Sequence, residues 1–112
     1  IATNPDEIIP GKFGFEPGCG AGAAMIEKAS GKKPYFIGKP NPLMIRYALT
    51  TLGARAQDAV IIGDRMETDV IAGLENGMTT YLVLSGVTRK KEIERFPYRP
   101  TQVFKSVAEI FP

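Results

Sequence analysis

The sequence predicts an α/β domain, a parallel sheet with flanking helices. Three observations predict it. Short apolar bursts such as Ala59-Val60-Ile61-Ile62 show little period-2 alternation, as strands buried on both faces do. Stretches of helical spacing alternate with them, the pattern of βαβ crossovers. Dense punctuation by 12 Gly and 9 Pro separates the two kinds. At 112 residues with 44% hydrophobic and 23% charged residues, the chain suits one ordered domain, residues 1–112. It holds no internal repeat, low-complexity tract or linker.

Ile1-Ala2-Thr3 reads as the tail of a strand, ended by the turn signal Asn4-Pro5-Asp6. The chain is therefore expected to be a fragment of a longer protein. Glu7 to Pro17 reads as irregular. Gly18 to Ser30 is a helix stopped by Gly31. Pro34-Tyr35-Phe36-Ile37 reads as a buried strand ending at Gly38-Lys39-Pro40. Asn41 then caps a helix with Pro42 at its first position, and Gly53 closes it. Ala59 to Ile62 is a strand, Met66 to Asn76 a helix, and Thr79 to Leu84 a strand. Arg89 to Phe96 is a short charged helix, Val103-Phe104 a last strand, and Ser106 to Phe111 a last helical turn.

Composition excludes several chemistries. Without His there is no Ser-His-Asp triad, no Cys-His dyad and no His-ligated metal. Cys19 stands alone, so no internal disulfide and no Cys-rich zinc site can form. A net charge of +2 is too mild to demand a nucleic acid polymer or an anionic membrane. A lone Cys, the lack of a leader and the lack of a membrane-length apolar run point to the cytoplasm.

In an open parallel sheet, ligands bind beyond the carboxyl ends of the strands. The polar residues at those ends are Thr3, Asn4 and Asp6, then Lys39, then Asp64, Arg65 and Asp69, then Ser85 and Thr88. That set fits an oxygen-ligand site for Mg²⁺ with a lysine for phosphate. Asp64 and Asp69 on one helix would point about 140° apart. With Asp64 on the strand-end loop and Asp69 in the first helical turn, both can face one site. Asp69 also fits a plain role as a helix cap or dipole partner. Lys39 has the base rate of lysines against it, most being solvated. Its place after Gly38, with Pro40 and Pro42 stiffening the chain beyond it, favours an anchor.

Gly18-Cys19-Gly20-Ala21-Gly22-Ala23 has the form of a dinucleotide fingerprint, but no strand is expected before it and no acidic residue lies about 20 positions on. Its glycines read as a tight loop and close helix packing, and Cys19 as a small loop residue. Arg89-Lys90-Lys91, balanced by Glu92 and Glu94, reads as a solvated face.

Gly38-Lys39-Pro40 and Gly63-Asp64-Arg65-Met66-Glu67-Thr68-Asp69 resemble the third and fourth motifs of haloacid dehalogenase (HAD) phosphatases. Ala2-Thr3-Asn4-Pro5-Asp6, Pro17-Gly18-Cys19-Gly20-Ala21, Val83-Leu84-Ser85-Gly86-Val87-Thr88 and Phe96-Pro97-Tyr98-Arg99-Pro100 are similar to the NagD-type branch, as is the closing Ser106-Val107-Ala108-Glu109-Ile110. The resemblance implies a Rossmann-like core and Mg²⁺-dependent hydrolysis of small phosphorylated metabolites, nucleoside monophosphates or sugar phosphates, through an aspartyl-phosphate. It implies that Lys39 holds nucleophile and phosphate, that Asp64 binds Mg²⁺ and that Asp69 supports the metal. Thr3 and Asn4 would stand on the phosphate side.

The nucleophilic Asp-x-Asp of that family is absent here, since the aspartates are Asp6, Asp58, Asp64 and Asp69. The chain thus reads as the C-terminal part of such a core, a partial HAD core with the nucleophile segment and cap domain absent. It is expected to be inactive alone and to require the missing N-terminal core and cap segment as partner. Two other readings stand beside it: a non-catalytic module binding Mg²⁺ or phosphate, and a half-domain that pairs with a separate N-terminal chain. A partial sheet would also leave an open edge, so self-association into a homo-oligomer is expected.

Overall fold

A computed structural model of the chain describes residues 1–110. Ala2 makes a single parallel bridge to Phe36: its N–H donates to the Tyr35 carbonyl at 2.9 Å and its carbonyl accepts from the Ile37 N–H at 3.0 Å. The strand expected at Pro34–Ile37 is reduced to this bridge. Tyr35 is exposed, so the segment lacks the two-sided burial that its apolar run suggested.

Glu7 to Pro17 is not irregular. It forms an antiparallel hairpin of β1 (Ile8–Gly11) and β2 (Gly14–Pro17). Lys12 and Phe13 make the two-residue turn, and Gly14 takes a φ of 133°, open to glycine. Pro10 and Pro17 hid this hairpin, because proline removes a ladder donor. A two-stranded ribbon has only edges, where proline is tolerated.

Helix α1 (Cys19–Ser30) comes next and ends at Gly31 in the left-handed conformation. Its opening turn is the seat of the loop at residues 4–7. The Gly18 N–H donates to the Glu7 carbonyl and the Gly20 N–H to the Asp6 carbonyl, each at 2.8 Å. A Cβ at Gly20 would collide with the Pro5 carbonyl. These bonds use donors that a phosphate would need at a dinucleotide site. A strand does precede the helix, contrary to expectation, but it belongs to a hairpin and not to a βαβ unit. The reading of the glycines as close packing therefore holds for a different reason.

Helix α2 (Pro42–Leu52) has the expected ends. The Asn41 side chain accepts from the Leu43 N–H at 2.9 Å, and Gly53 closes the helix at φ 62°. Strand β3 (Val60–Gly63) leads through a loop into a wide π-helical turn at Met66–Val70, continued by α3 (Ile71–Glu75). Strand β4 (Thr79–Val83) is parallel to β3, and β5 (Gln102–Phe104) is parallel to β4, giving the order β3-β4-β5. The charged segment is a 3₁₀ helix at Lys90–Arg95. A 3₁₀ turn at Val107–Glu109 stands for the last expected helix, whose Phe111 lies outside the described residues.

The core centres on Met66, Val70, Leu82 and Ile93, with Leu74, Leu84, Phe96 and Tyr98 packed around them. The Tyr98 hydroxyl donates to the Met66 carbonyl at 3.2 Å. Burial, and then the charges of Glu67 and Glu75, push its phenol above the ordinary value. Strand β4 is buried on both faces, as expected. Strand β3 is not: Val60 and Ile62 are exposed, and its outer edge is unpaired among the described residues.

Two outcomes are expected. A Cβ at Gly73 would strike the Cγ2 methyls of Ile61 and Thr80, where α3 lies on the sheet. Helix propensity alone favours Gly73→Ala by about 1 kcal/mol, but overpacking costs ~1–3 kcal/mol. Chemical denaturation should therefore show net destabilisation, and a gain would refute the close packing. Cys19 should alkylate at lower pH than a free thiol. Hydrogen bonding from the Asn4 backbone, then from the Thr3 hydroxyl at 3.2 Å, holds its pKa below the ordinary value. The pH profile of iodoacetamide labelling checks this, and Thr3→Val should move the inflection upward.

Candidate active site

The described strand ends meet at a cleft of about 370 Å³. Thr3, Asn4, Lys39, Asp64 and Asp69 all line it, so the structure brings these five together. Asp6, Met44, Arg65 and Thr68 complete the wall with Gly38. Ser85 and Thr88 do not line it. Thr88 is buried, and its hydroxyl accepts from the Met66 N–H at 3.3 Å.

Asp69 organises the site. Its side chain is only 7% exposed, and Oδ1 accepts from Lys39 Nζ at 2.6 Å. Its Oδ2 accepts from the backbone N–H groups of Asp64 and Arg65, each at 3.1 Å. Three donors thus satisfy this carboxylate, which is what a buried charge requires. The π-helical turn allows it. The N–H groups of both Asp69 and Val70 converge on the Arg65 carbonyl, at 3.0 and 3.2 Å, so the turn widens while Asp69 folds back over the strand end. Gly63 provides the space, because a Cβ there would overlap the Asp69 carboxylate.

Asp64 is placed differently. It sits in the loop between β3 and the π turn, and its Oδ2 accepts from the Val87 N–H at 2.8 Å. Its carbonyl accepts from the Thr88 N–H at 3.0 Å, so the loop after β4 holds it twice. A Cβ at Gly86 would overlap this carboxylate, so Gly86 is the space that Asp64 occupies. Among the described residues no hydrogen bond uses its Oδ1, and Asp64 lines the cleft.

Lys39 is carried by the segment after the Ala2–Phe36 bridge. Gly38 packs so closely on the Thr3 carbonyl that a Cβ would collide with it. The two segments therefore end side by side, and Lys39 reaches across to Asp69 with its side chain 39% exposed. Beside Gly38, Asn4 folds its own loop: its Oδ1 accepts from the Asp6 N–H at 3.1 Å. Asp6 in turn accepts from Arg65 Nη1 at 3.2 Å. In sequence Arg65 stands out only as a strand-end residue; its pairing with Asp6, 59 positions away, has no local signal.

One free carboxylate oxygen beside a lysine fits Mg²⁺, which is commonly held by one or two carboxylates, waters and substrate phosphate. Asp69, already satisfied by three donors, orients Lys39 and the Asp64 loop. Among the described residues no group of three carboxylate, thiol or imidazole side chains could enclose a metal by itself. No described helix is long and apolar enough to cross a membrane.

Known proteins share this sequence and fold. The HAD-hydrolase-like family model matches residues 36–110. The chain is 52% identical over 110 residues to dihydroxyacetone phosphatase of Corynebacterium glutamicum (strain R), covering 98% of this chain and 40% of that protein. It is 50% identical over 110 residues to ribonucleotide monophosphatase NagD of Escherichia coli (strain K12), covering 98% and 43%. The solved p-nitrophenyl phosphatase of Archaeoglobus fulgidus superposes with a TM-score of 0.84 at 38% identity, over 96% of this chain and 43% of that one. The chain thus spans less than half the length of each of these relatives. The resemblance drawn from the motifs is borne out. The family match takes in the whole parallel sheet and the loops of Lys39, Asp64 and Asp69, and the chain belongs to the HAD-hydrolase-like family.

Proposed function

We propose that this chain carries the lysine and metal side of a Mg²⁺-dependent phosphatase acting on small phosphate monoesters. The observation that supports it is the pairing of Lys39 with the buried Asp69 in a cleft also lined by Asp64, whose Oδ1 makes no hydrogen bond among the described residues. In this reading Lys39 offers its ammonium to a phosphate oxygen, kept in place by Asp69. Asp64 would hold Mg²⁺, which supplies charge neutralisation to the phosphate when bound. Thr3 and Asn4 line the same cleft next to Gly38.

The phosphatase relatives support the reaction class. Their names, dihydroxyacetone phosphatase and ribonucleotide monophosphatase among them, support small phosphate monoesters. Covalent transfer to an aspartate requires a nucleophile, and this sequence has no Asp-x-Asp to supply one. We therefore assign the nucleophile and the groups that select the alcohol to a complementary segment of the parent protein.

The test uses p-nitrophenyl phosphate. The 112-residue chain alone should give no Mg²⁺-dependent turnover. Turnover abolished by both Lys39→Ala and a chelator would place a nucleophile among Asp6, Asp64 and Asp69 and overturn the assignment. In the parent protein, Lys39→Ala should lower kcat/KM by roughly 10²–10³, the scale of losing one preorganised charge donor. Asp64→Asn should raise the Mg²⁺ concentration needed for half-maximal rate by at least about tenfold. An unchanged Mg²⁺ requirement would remove Asp64 from the metal.

A further inference from the structure

The cleft has two walls from distant parts of the chain. Thr3, Asn4 and Asp6 stand on the loop seated on α1, and Lys39, Asp64 and Asp69 stand on the part matched by the family model. Among the described residues, the Ile37 N–H to Ala2 carbonyl bond and the close approach of Gly38 to Thr3 join these parts at the Thr3 end, and one side-chain hydrogen bond joins them at the Asp6 end: Arg65 Nη1 to Asp6 Oδ1 at 3.2 Å. Both side chains are about 30% exposed, so solvent screens this pair only in part. Asp6, Arg65 and Thr68 also line a neighbouring cleft of about 350 Å³, so the pair stands between the two spaces.

Each end of the pair is tied to the machinery behind it. The Arg65 N–H donates to the same Asp69 carboxylate that holds Lys39. The Asp6 N–H is bonded to the Asn4 side chain, and the Asp6 carbonyl to the Gly20 N–H. A shift at Asp6 therefore carries Asn4 with it, and a shift at Arg65 moves the frame of Lys39.

We infer that the Asp6–Arg65 ion pair clasps the two walls together, making Arg65 a positioning residue for the phosphate rather than a ligand to it. The inference rests on the phosphate reading of the cleft given above. With the Thr3 end held beside Gly38 by backbone, the pair fixes the distance between the Asp6 end of the loop and the Asp64–Asp69 wall. Breaking it frees the loop, merges the two clefts and weakens binding of a phosphate group that needs both walls.

The test compares wild type with Arg65→Gln, Asp6→Asn and the charge swap Asp6→Arg/Arg65→Asp in the full chain. Amide hydrogen exchange is read at Asp6, Gly18 and Gly20, whose N–H groups hold the loop, and at Leu84, whose N–H donates to the Phe104 carbonyl, as a control. Inorganic phosphate binding with Mg²⁺ present is titrated in parallel. Each single variant should speed exchange at the three loop amides by about three- to fivefold, the scale of a partly exposed ion pair, and leave Leu84 unchanged. Each should weaken phosphate binding by a similar factor, and the swap should recover both. Unchanged loop exchange in both single variants would overturn the clasp. Recovery of exchange without recovery of phosphate affinity would make Arg65 a direct phosphate ligand and overturn the positioning role. If wild type binds no phosphate, the reading of the cleft fails, while the exchange data still decide the clasp.

Discussion

The buried carboxylate of Asp69 is the constraint on which the site depends. A charge that is only 7% exposed must be fully partnered, and its three partners are the Lys39 ammonium and the N–H groups of Asp64 and Arg65. Meeting that demand aims Lys39 into the cleft and fixes the loop that carries Asp64. It also accounts for Gly63, whose missing side chain is the room the carboxylate occupies. Only the carboxylate end of the Lys39–Asp69 pair is buried, and removing its partner would leave that charge uncompensated, so the pair serves geometry more than stability.

The two aspartates divide the work. They stand five positions apart in sequence, yet one lies on a loop and the other on the π turn. Asp69 uses its lone pairs on protein donors. Asp64 lines the cleft and gives one oxygen to the Val87 N–H, while its other oxygen makes no hydrogen bond among the described residues. The loop after β4 therefore holds Asp64 through the backbone N–H groups of Val87 and Thr88, while the Thr88 hydroxyl accepts from the Met66 N–H at the start of the π turn. Gly86 enters the same way, as space for the Asp64 carboxylate.

Much of this was legible in the residues. Asn41-Pro42 and Gly53 mark α2 because capping chemistry is local. Ala59–Ile62 and Thr79–Leu84 mark the parallel strands because their burial shows in an unbroken apolar run. The rule that ligands bind past strand ends picked out Thr3, Asn4, Asp6, Lys39, Asp64, Arg65 and Asp69, which line the cleft, and also Ser85 and Thr88, which do not. What failed depended on partners. Pro34–Ile37 looks like a core strand, yet most of the pairing that would make it one is lacking among the described residues. Glu7–Pro17 looked irregular because hairpin formation overrides two prolines. The π turn and the Asp6–Arg65 pair arise from tertiary contact, which no local pattern encodes.

The central claim is that Asp64 presents a metal ligand into a cleft shared with Lys39. Paramagnetic broadening of the backbone amide spectrum by Mn²⁺, used in place of Mg²⁺, tests it most directly. The account predicts broadening confined to amides around the cleft, those of Asn4, Lys39, Asp64, Arg65 and Val87, and its loss in Asp64→Asn. Broadening centred on Glu67 and Glu75, or unchanged by Asp64→Asn, would contradict it.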